Sequence, residues 1–289
     1  MPISKKNLRI AFSLTPSESK RLIAKGVPVM DVIRSSMEKA YTIIGPGTTN
    51  AFVAQEILGL TDLQPETFAI GISSDGLLCI TDPEFRARLP LVAYKGVLSE
   101  KKVSEAIEDF HLETVIIKGG NAIDHVGNVG VVLGGFSGGG VGETVGTVVS
   151  QGLSYIVPIG LEKMVPSVKI AAAFCGAKRF DYSMGADFGL MILPNAIPIT
   201  EIKALEILFG VKAVHVASGG IGDSNGAVTL VAEGKADAVQ MTMDVIETIK
   251  GEPPVPGAPK LCSSCRYDCV YTGENAGPLP KWLKIHQGD

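Results

Sequence analysis

Three glycine-bearing stretches carry side chains that could do chemistry. The first is Ile44-Gly45-Pro46-Gly47-Thr48-Thr49-Asn50, set between a strand-like run and a helix-like one. Glycines let backbone amides approach a ligand closely. A helix that starts here offers unpaired N–H groups and a partial positive charge. With the hydroxyls of Thr48 and Thr49 and the amide of Asn50, the corner suits a phosphate or carboxylate. A tight turn with a threonine cap is the plainer alternative.

The second stretch is Lys118-Gly119-Gly120-Asn121-Ala122-Ile123-Asp124-His125. Lys118 falls at the carboxyl end of an expected strand, where open α/β sheets place their ligands. Its amine could pair with a phosphate or polarise a carbonyl. Asp124 could serve as a general base, and Gly119, Gly120 and Asn121 as ligand contacts. His125, beside a glycine turn, reads as a surface residue. The third stretch runs from Gly134 to Thr144, where six of eleven residues are glycine. So flexible a loop is costly to order, which is understandable if Gly138, Gly139 and Gly140 wrap a ligand. A close-packed turn is the alternative. Glu143 opens the helix that follows, as a cap or as a carboxylate nucleophile. Neither the dinucleotide fingerprint nor a P-loop is present.

Cys262, Cys265 and Cys269 form C-x2-C-x3-C. Three thiolates so close can converge on one metal centre, Zn or an Fe–S cluster, and each of these commonly takes four ligands. Cys175, Cys79 or His286 could complete the set; a metal-free tail is the competing reading.

The elements that must position these residues follow from periodicity and punctuation. Helical spacing covers Ser17 to Ala40, with Pro28 expected to begin a second helix. Strands are expected at Tyr41–Ile44, Phe68–Ile72, Leu77–Ile80, Leu91–Tyr94, Thr114–Ile117, Asn128–Leu133, Tyr155–Ile159 and Val168–Ala172. Helices are expected at Asn50–Leu58, Ser99–Phe110 and Glu143–Gln151. Strands alternating with helices predict an α/β fold with a mainly parallel, Rossmann-like sheet covered on both faces. After about residue 186 the order becomes β-α-β-β-α: Leu190–Leu193, Thr200–Phe209, Ala213–Ala217, Ala227–Val231 and Lys235–Lys250. The expected domains are therefore a core over 1–185, a small α+β unit over 186–250, and a proline-rich linker with the cysteine tail over 251–289.

The pattern strand-G-x-G-T-T-helix, followed later by K-G-G-N-A-I-D, resembles the sugar-phosphate isomerase and CoA-transferase-like superfamily of ribose-5-phosphate isomerase and glucosamine-6-phosphate deaminase. The resemblance covers about residues 20 to 180. It implies a Rossmann-like core in which Gly45, Gly47, Thr48 and Thr49 hold a substrate phosphate. Lys118-Gly119-Gly120 resembles that family's K-G-G-G motif. Asn121-Ala122-Ile123-Asp124 compares with its acidic motif, with an asparagine where the family has a carboxylate. Ala217-Ser218-Gly219-Gly220-Ile221 also resembles a TIM-barrel phosphate loop, but eight regular βα units are not found.

Composition narrows the partners. A net charge of −4, a pI near 5.7 and 6% aromatic residues argue against nucleic acid. No apolar run reaches the ~20 residues of a membrane helix, and the first residues are not followed by a signal-like apolar core. The cysteines fit a reducing compartment. The expectation is a cytoplasmic protein, with a homo-oligomer at base rate. It would bind a small anionic, phosphorylated or CoA-linked metabolite, as an isomerase or transferase. The alternatives are a non-catalytic sensor of the same fold, favoured by Asn121, and a metal protein acting through its C-terminal cysteines.

Overall fold

The computed structural model describes residues 7–71, 73–74, 76–258 and 269. The chain opens with β1 (Asn7–Leu14), α1 (Pro16–Gly26), α2 (Asp31–Lys39), β2 (Tyr41–Ile44) and α3 (Thr48–Leu58). Thr15 starts α1 in a capping box: its hydroxyl accepts from the Glu18 N–H, and Glu18 accepts from the Thr15 N–H. Next come β3 (Leu91–Tyr94), β4 (Val97–Leu98), α4 (Val103–Ala106), β5 (Val115–Ile117), β6 (Ala122–Ile123), β7 (Val129–Leu133) and α5 (Gly139–Ser150). The chain continues through β8 (Tyr155–Pro158), α6 (Val168–Phe174), β9 (Gly189–Ile192), β10 (Ala196–Ile199) and α7 (Glu201–Phe209). It closes with β11 (Lys212–Ser218), β12 (Val228–Lys235) and α8 (Ala236–Ile249).

The result is an α/β fold around a six-stranded mixed sheet of order β10-β8-β5-β2-β3-β4. The first four strands are mutually parallel, while β3 and β4 continue the sheet antiparallel beyond β2. Both faces are buried, so these strands read as continuous apolar runs. Ile43, Ile116, Tyr155 and Val157 point into one core with Val129, Val131, Val141 and Val148. Ile44, Ile117 and Ile156 point into the other with Phe52, Ile23, Ile33 and Phe68. Because β2, β5, β8 and β10 are parallel, their carboxyl ends share one edge of the sheet.

Two smaller sheets flank this one. In β6-β7-β9 both neighbouring pairs are antiparallel. In β1-β12-β11, β1 lies against β12 over eight residue pairs, from Asn7↔Lys235 to Leu14↔Val228. A third core joins that sheet to α1, α7 and α8 through Leu14, Leu22, Leu205, Leu230, Val239 and Ile246. The β-α-β-β-α run expected over 186–250 is thus shared among all three sheets. Its strand β9 joins β7, β10 joins the six-stranded sheet, and β11–β12 take up β1 from the N-terminal side. These pairings cross the 185/186 boundary expected from the sequence.

Local departures have identifiable causes. Val168–Ala172, expected as a strand, forms most of α6. Ser167 Oγ accepts from the Ile170 N–H and Asp124 Oδ2 from the Val168 N–H, so the start of a helix is capped twice. The helix expected over Ser99–Phe110 shrinks to α4 and one 3₁₀ turn, beginning after Lys102, whose N–H is held by Glu105. The second helix begins at Asp31 rather than at Pro28. Of the strands expected at 68–72 and 77–80, the described residues contribute only isolated bridges, Ser74↔Leu77 and Leu78↔Gly185. No helix among the described residues is long and apolar enough to cross a membrane.

Candidate functional site

Four loops meet at the carboxyl edge of the parallel strands. After β2 the chain turns through Gly45, Pro46 and Gly47 into α3. Gly47 has φ +152°, a conformation that side-chain-bearing residues rarely adopt, and it is the N-cap of the helix. Its own N–H turns inward to Phe68 O at 2.7 Å. The next three N–H groups, of Thr48, Thr49 and Asn50, find no acceptor among the described residues, and no side chain caps the helix. Asn50, fully buried, spends its amide N–H on Gly45 O at 2.8 Å.

After β5 come Lys118 and Gly119. The Lys118 stem packs on Gly45, and Gly119 lies against the Asn50 amide. The Lys118 ammonium has one hydrogen bond, to Gly119 O at 3.4 Å, and no carboxylate partner among the described residues. Burial, and then the charge of Lys163, pushes its pKa down to about 8.

After β8 the chain enters a 3₁₀ turn over Leu161–Lys163. Lys163 Nζ donates to Gly120 O at 3.1 Å, which brings it beside Lys118. The carboxylate of Glu162 folds back over Gly160, in space that any side chain at 160 would fill. After β10, Glu201 begins α7, and both of its oxygens face the Leu161 N–H, at 3.0 and 3.2 Å. Glu201 is wholly buried. Burial, and then the charge of Glu162, raises its pKa to about 7. From α1, Lys20 completes the cluster. Burial lowers its pKa; Lys163 lowers it further, and Glu162 and Glu201 oppose the fall. Ser19 leans on Glu201 without completing a hydrogen bond.

Four buried side-chain atoms find no hydrogen-bond partner among the described residues: Ser19 Oγ, Thr49 Oγ1, Asn50 Oδ1 and Glu162 Oε2. All four lie on this edge. Unpartnered buried polar atoms are rare in folded proteins and each costs roughly 1–3 kcal/mol. Their concentration here, among three lysines, is what a site prepared for a polar ligand looks like. No protein-family model, curated protein or solved structure matches the chain.

The residues singled out in the sequence separate into two groups. Gly45, Gly47, Thr48, Thr49, Asn50, Lys118 and Gly119 come together at the edge. Gly120 lines it only through its carbonyl, and it is a packing glycine: a Cβ there would lie 2.6 Å from Ile159 and 2.8 Å from Val129. Asn121 uses its side-chain oxygen to accept from the Val132 N–H at 3.0 Å, bracing β7.

Asp124 is engaged in structure rather than poised as a base. Its oxygens accept from the N–H groups of Val126, Asn128 and Val168 and from the Asn128 amide. Burial alone would raise its pKa, but these donors together hold it below the ordinary carboxylate range. Glu143 does not open its helix: α5 begins four residues earlier, after Gly138 in the left-handed region, and Glu143 is exposed on the helix's second turn. Gly138, Gly139 and Gly140 serve that helix start, and no hydrogen bond joins them to the Gly45 corner among the described residues. Of the proposed metal ligands, Cys262 and Cys265 lie outside the described residues, and Cys269 is half-buried.

Ser19, Lys20, Glu162, Lys163 and Glu201 were not among the candidate site residues in the sequence, where Lys20 reads only as part of the polar start of the first helix. The rule that picked out Lys118, charge at the carboxyl end of a buried strand, extends to Glu162 and Lys163 in the loop after the expected strand Tyr155–Ile159, but not to Glu201, which follows a strand the sequence did not reveal.

Proposed function

We propose that the carboxyl edge of β2, β5, β8 and β10 binds a small phosphorylated or CoA-linked metabolite, and that the chain acts on it as an isomerase or transferase. The observation that carries this reading is the gathering of Lys20, Lys118 and Lys163 at an edge where, among the described residues, the hydroxyls of Thr49 and Ser19 stand unpartnered as donors for an anion, and Asn50 Oδ1 and Glu162 Oε2 as acceptors for a ligand's hydroxyls. Three lysines against Glu162 and Glu201 leave the edge positive, and the three open N–H groups of α3 add to that attraction for an anion. The strand order also changes direction at β2, with β3 on one side and β5 on the other. In Rossmann-like sheets, the class to which we assign this fold, such a crevice is where ligands sit.

The proton chemistry fits the same reading. Lys118 near 8 and Glu201 near 7 both exchange protons close to neutrality, as a general acid and base must. In this reading the phosphate sits on Thr48, Thr49 and Asn50, with Lys118 facing the reacting end. Thermal-shift screening with sugar phosphates and CoA esters tests it. A stabilising ligand should lose its effect in Thr49→Val and Lys118→Met; stabilisation that survives both substitutions overturns the assignment.

A non-catalytic sensor of the same fold is the second reading. It is favoured by the fate of Asp124 and Asn121, both tied into backbone hydrogen bonds. Binding without turnover of any bound sugar phosphate would select it. In either case we read the protein as cytoplasmic. A Zn or Fe–S centre on Cys262, Cys265 and Cys269 is a separate proposal. Metal analysis of anaerobically purified protein, with Cys265→Ser as control, decides it.

A further inference from the structure

We infer that Lys118 is a covalent, imine-forming amine, and that the substrate of this edge is a phosphorylated aldehyde or ketone. The inference rests on the anion-site reading above and narrows it. Four features of the geometry support it. The Lys118 stem packs on Gly45 and its amine reaches Gly119 O, so the amine lies at the strand end. Its single hydrogen bond is long, and no carboxylate neutralises it among the described residues, which sets it apart from a structural ion pair. Lys163 stands beside it as a second cation, held on Gly120 O. The phosphate seat formed by the open end of α3, with the Thr49 hydroxyl unpartnered among the described residues, lies beside the same glycines, and Asn50 Oδ1 next to it is an acceptor for a substrate hydroxyl. A buried amine next to another cation is the arrangement that makes a lysine nucleophilic at neutral pH.

The chemistry balances without any outside oxidant or reductant. The neutral Lys118 amine attacks the carbonyl carbon, a C–N bond forms, and the π pair moves to oxygen, which takes up a proton. The resulting carbinolamine nitrogen loses one proton. Its lone pair then expels the hydroxyl group, which leaves as water after taking a proton from the Lys163 ammonium or from solvent. The product is an iminium ion on Lys118, which acidifies the adjacent carbon for proton transfer. A pKa near 8 leaves roughly a tenth of the amine neutral at pH 7, against about 0.03% for an ordinary lysine.

The test uses pyridoxal 5′-phosphate and pyridoxal as probes, at less than one equivalent, on the full-length chain. Borohydride reduction would then fix the imine as a secondary amine, with the modified peptide located by mass spectrometry. The expected result is Lys118 as the main site, labelled at least tenfold faster by the phosphorylated probe and protected by inorganic phosphate. The pH midpoint of labelling should lie near 8 and rise in Lys163→Met. Lys118→Arg should keep the melting temperature and lose the adduct. Label spread over other lysines with Lys118 untouched, while phosphate still stabilises the fold, overturns the imine and leaves the anion site standing. Equal labelling of Lys118 by both probes, without phosphate protection, does the reverse.

Discussion

Glu201→Gln should make the protein more stable at pH 8 and leave it nearly unchanged at pH 5. The Glu201 carboxyl is fully buried, faces the Leu161 N–H, and has Glu162 as a charged neighbour whose effect, with burial, outweighs the N–H groups of Leu161 and of Glu201 itself. In the unfolded chain it titrates near 4.5 and in the fold near 7. Between these values the native state holds a proton that the unfolded state has lost, so stability falls as pH rises through that window and levels off above it. The gap between the two pKa values corresponds to a cost of about 3 kcal/mol once Glu201 is ionised. Glutamine has the same shape and no charge. Its carbonyl can keep the Leu161 N–H, and its NH₂ can donate toward Glu162, so the variant escapes that cost. Urea unfolding of both proteins at pH 5 and pH 8 measures it: a difference within about 1 kcal/mol at pH 5 should grow to about 2–3 kcal/mol in favour of the variant at pH 8. A variant equally destabilised at both values would refute the reasoning. It would mean that Glu201 is held ionised by partners and works as a bracing carboxylate, as Asp124 does.

Other expectations follow from the same contacts. Thr49→Val removes an unpartnered hydroxyl, so it should hold or raise stability by up to about 1 kcal/mol in chemical unfolding. The same variant should weaken phosphate-induced stabilisation. Asp124→Ala strips acceptors from three backbone N–H groups and one amide, and should cost about 2–4 kcal/mol in urea without changing phosphate binding. Gly120→Ala forces a methyl against Ile159 and Val129 and should cost about 1–3 kcal/mol, seen as a lower melting temperature.

The parts of the site legible in the sequence were those encoded locally. The strand Tyr41–Ile44, its glycine corner and the helix beyond are contiguous, so apolar periodicity and two glycines sufficed to place Thr48, Thr49 and Asn50. Lys118 was legible for the same reason. Glu201 was not, because an acidic residue in the first turn of a helix is ordinary, and only the burial conferred by α1 and the 161–163 turn makes it unusual. Lys20 reaches the edge from a helix far earlier in the chain, which no local pattern reveals. β10 was missed because its four residues include Pro198, a residue tolerated there because the strand lies at the sheet's margin. The five-residue run Val168–Ala172 was too short for its period to decide between strand and helix. Caps supplied by Ser167 and by the distant Asp124 decided it.

The pairing of β1 with β12 has a consequence for how the protein comes into being. Leu14 must wait for Val228 to be made, a delay of roughly 10–40 s at ribosomal speeds of about 5–20 residues per second. Until then the first strand of a nascent chain has no lateral neighbour, and the helix beside it, bearing Ser19 and Lys20, lacks part of its seat. The edge that gathers Lys20, Lys118 and Lys163 is therefore completed among the last parts of the molecule. Truncated translation products that already contain the Gly45 corner and Lys118 would still lack an intact site.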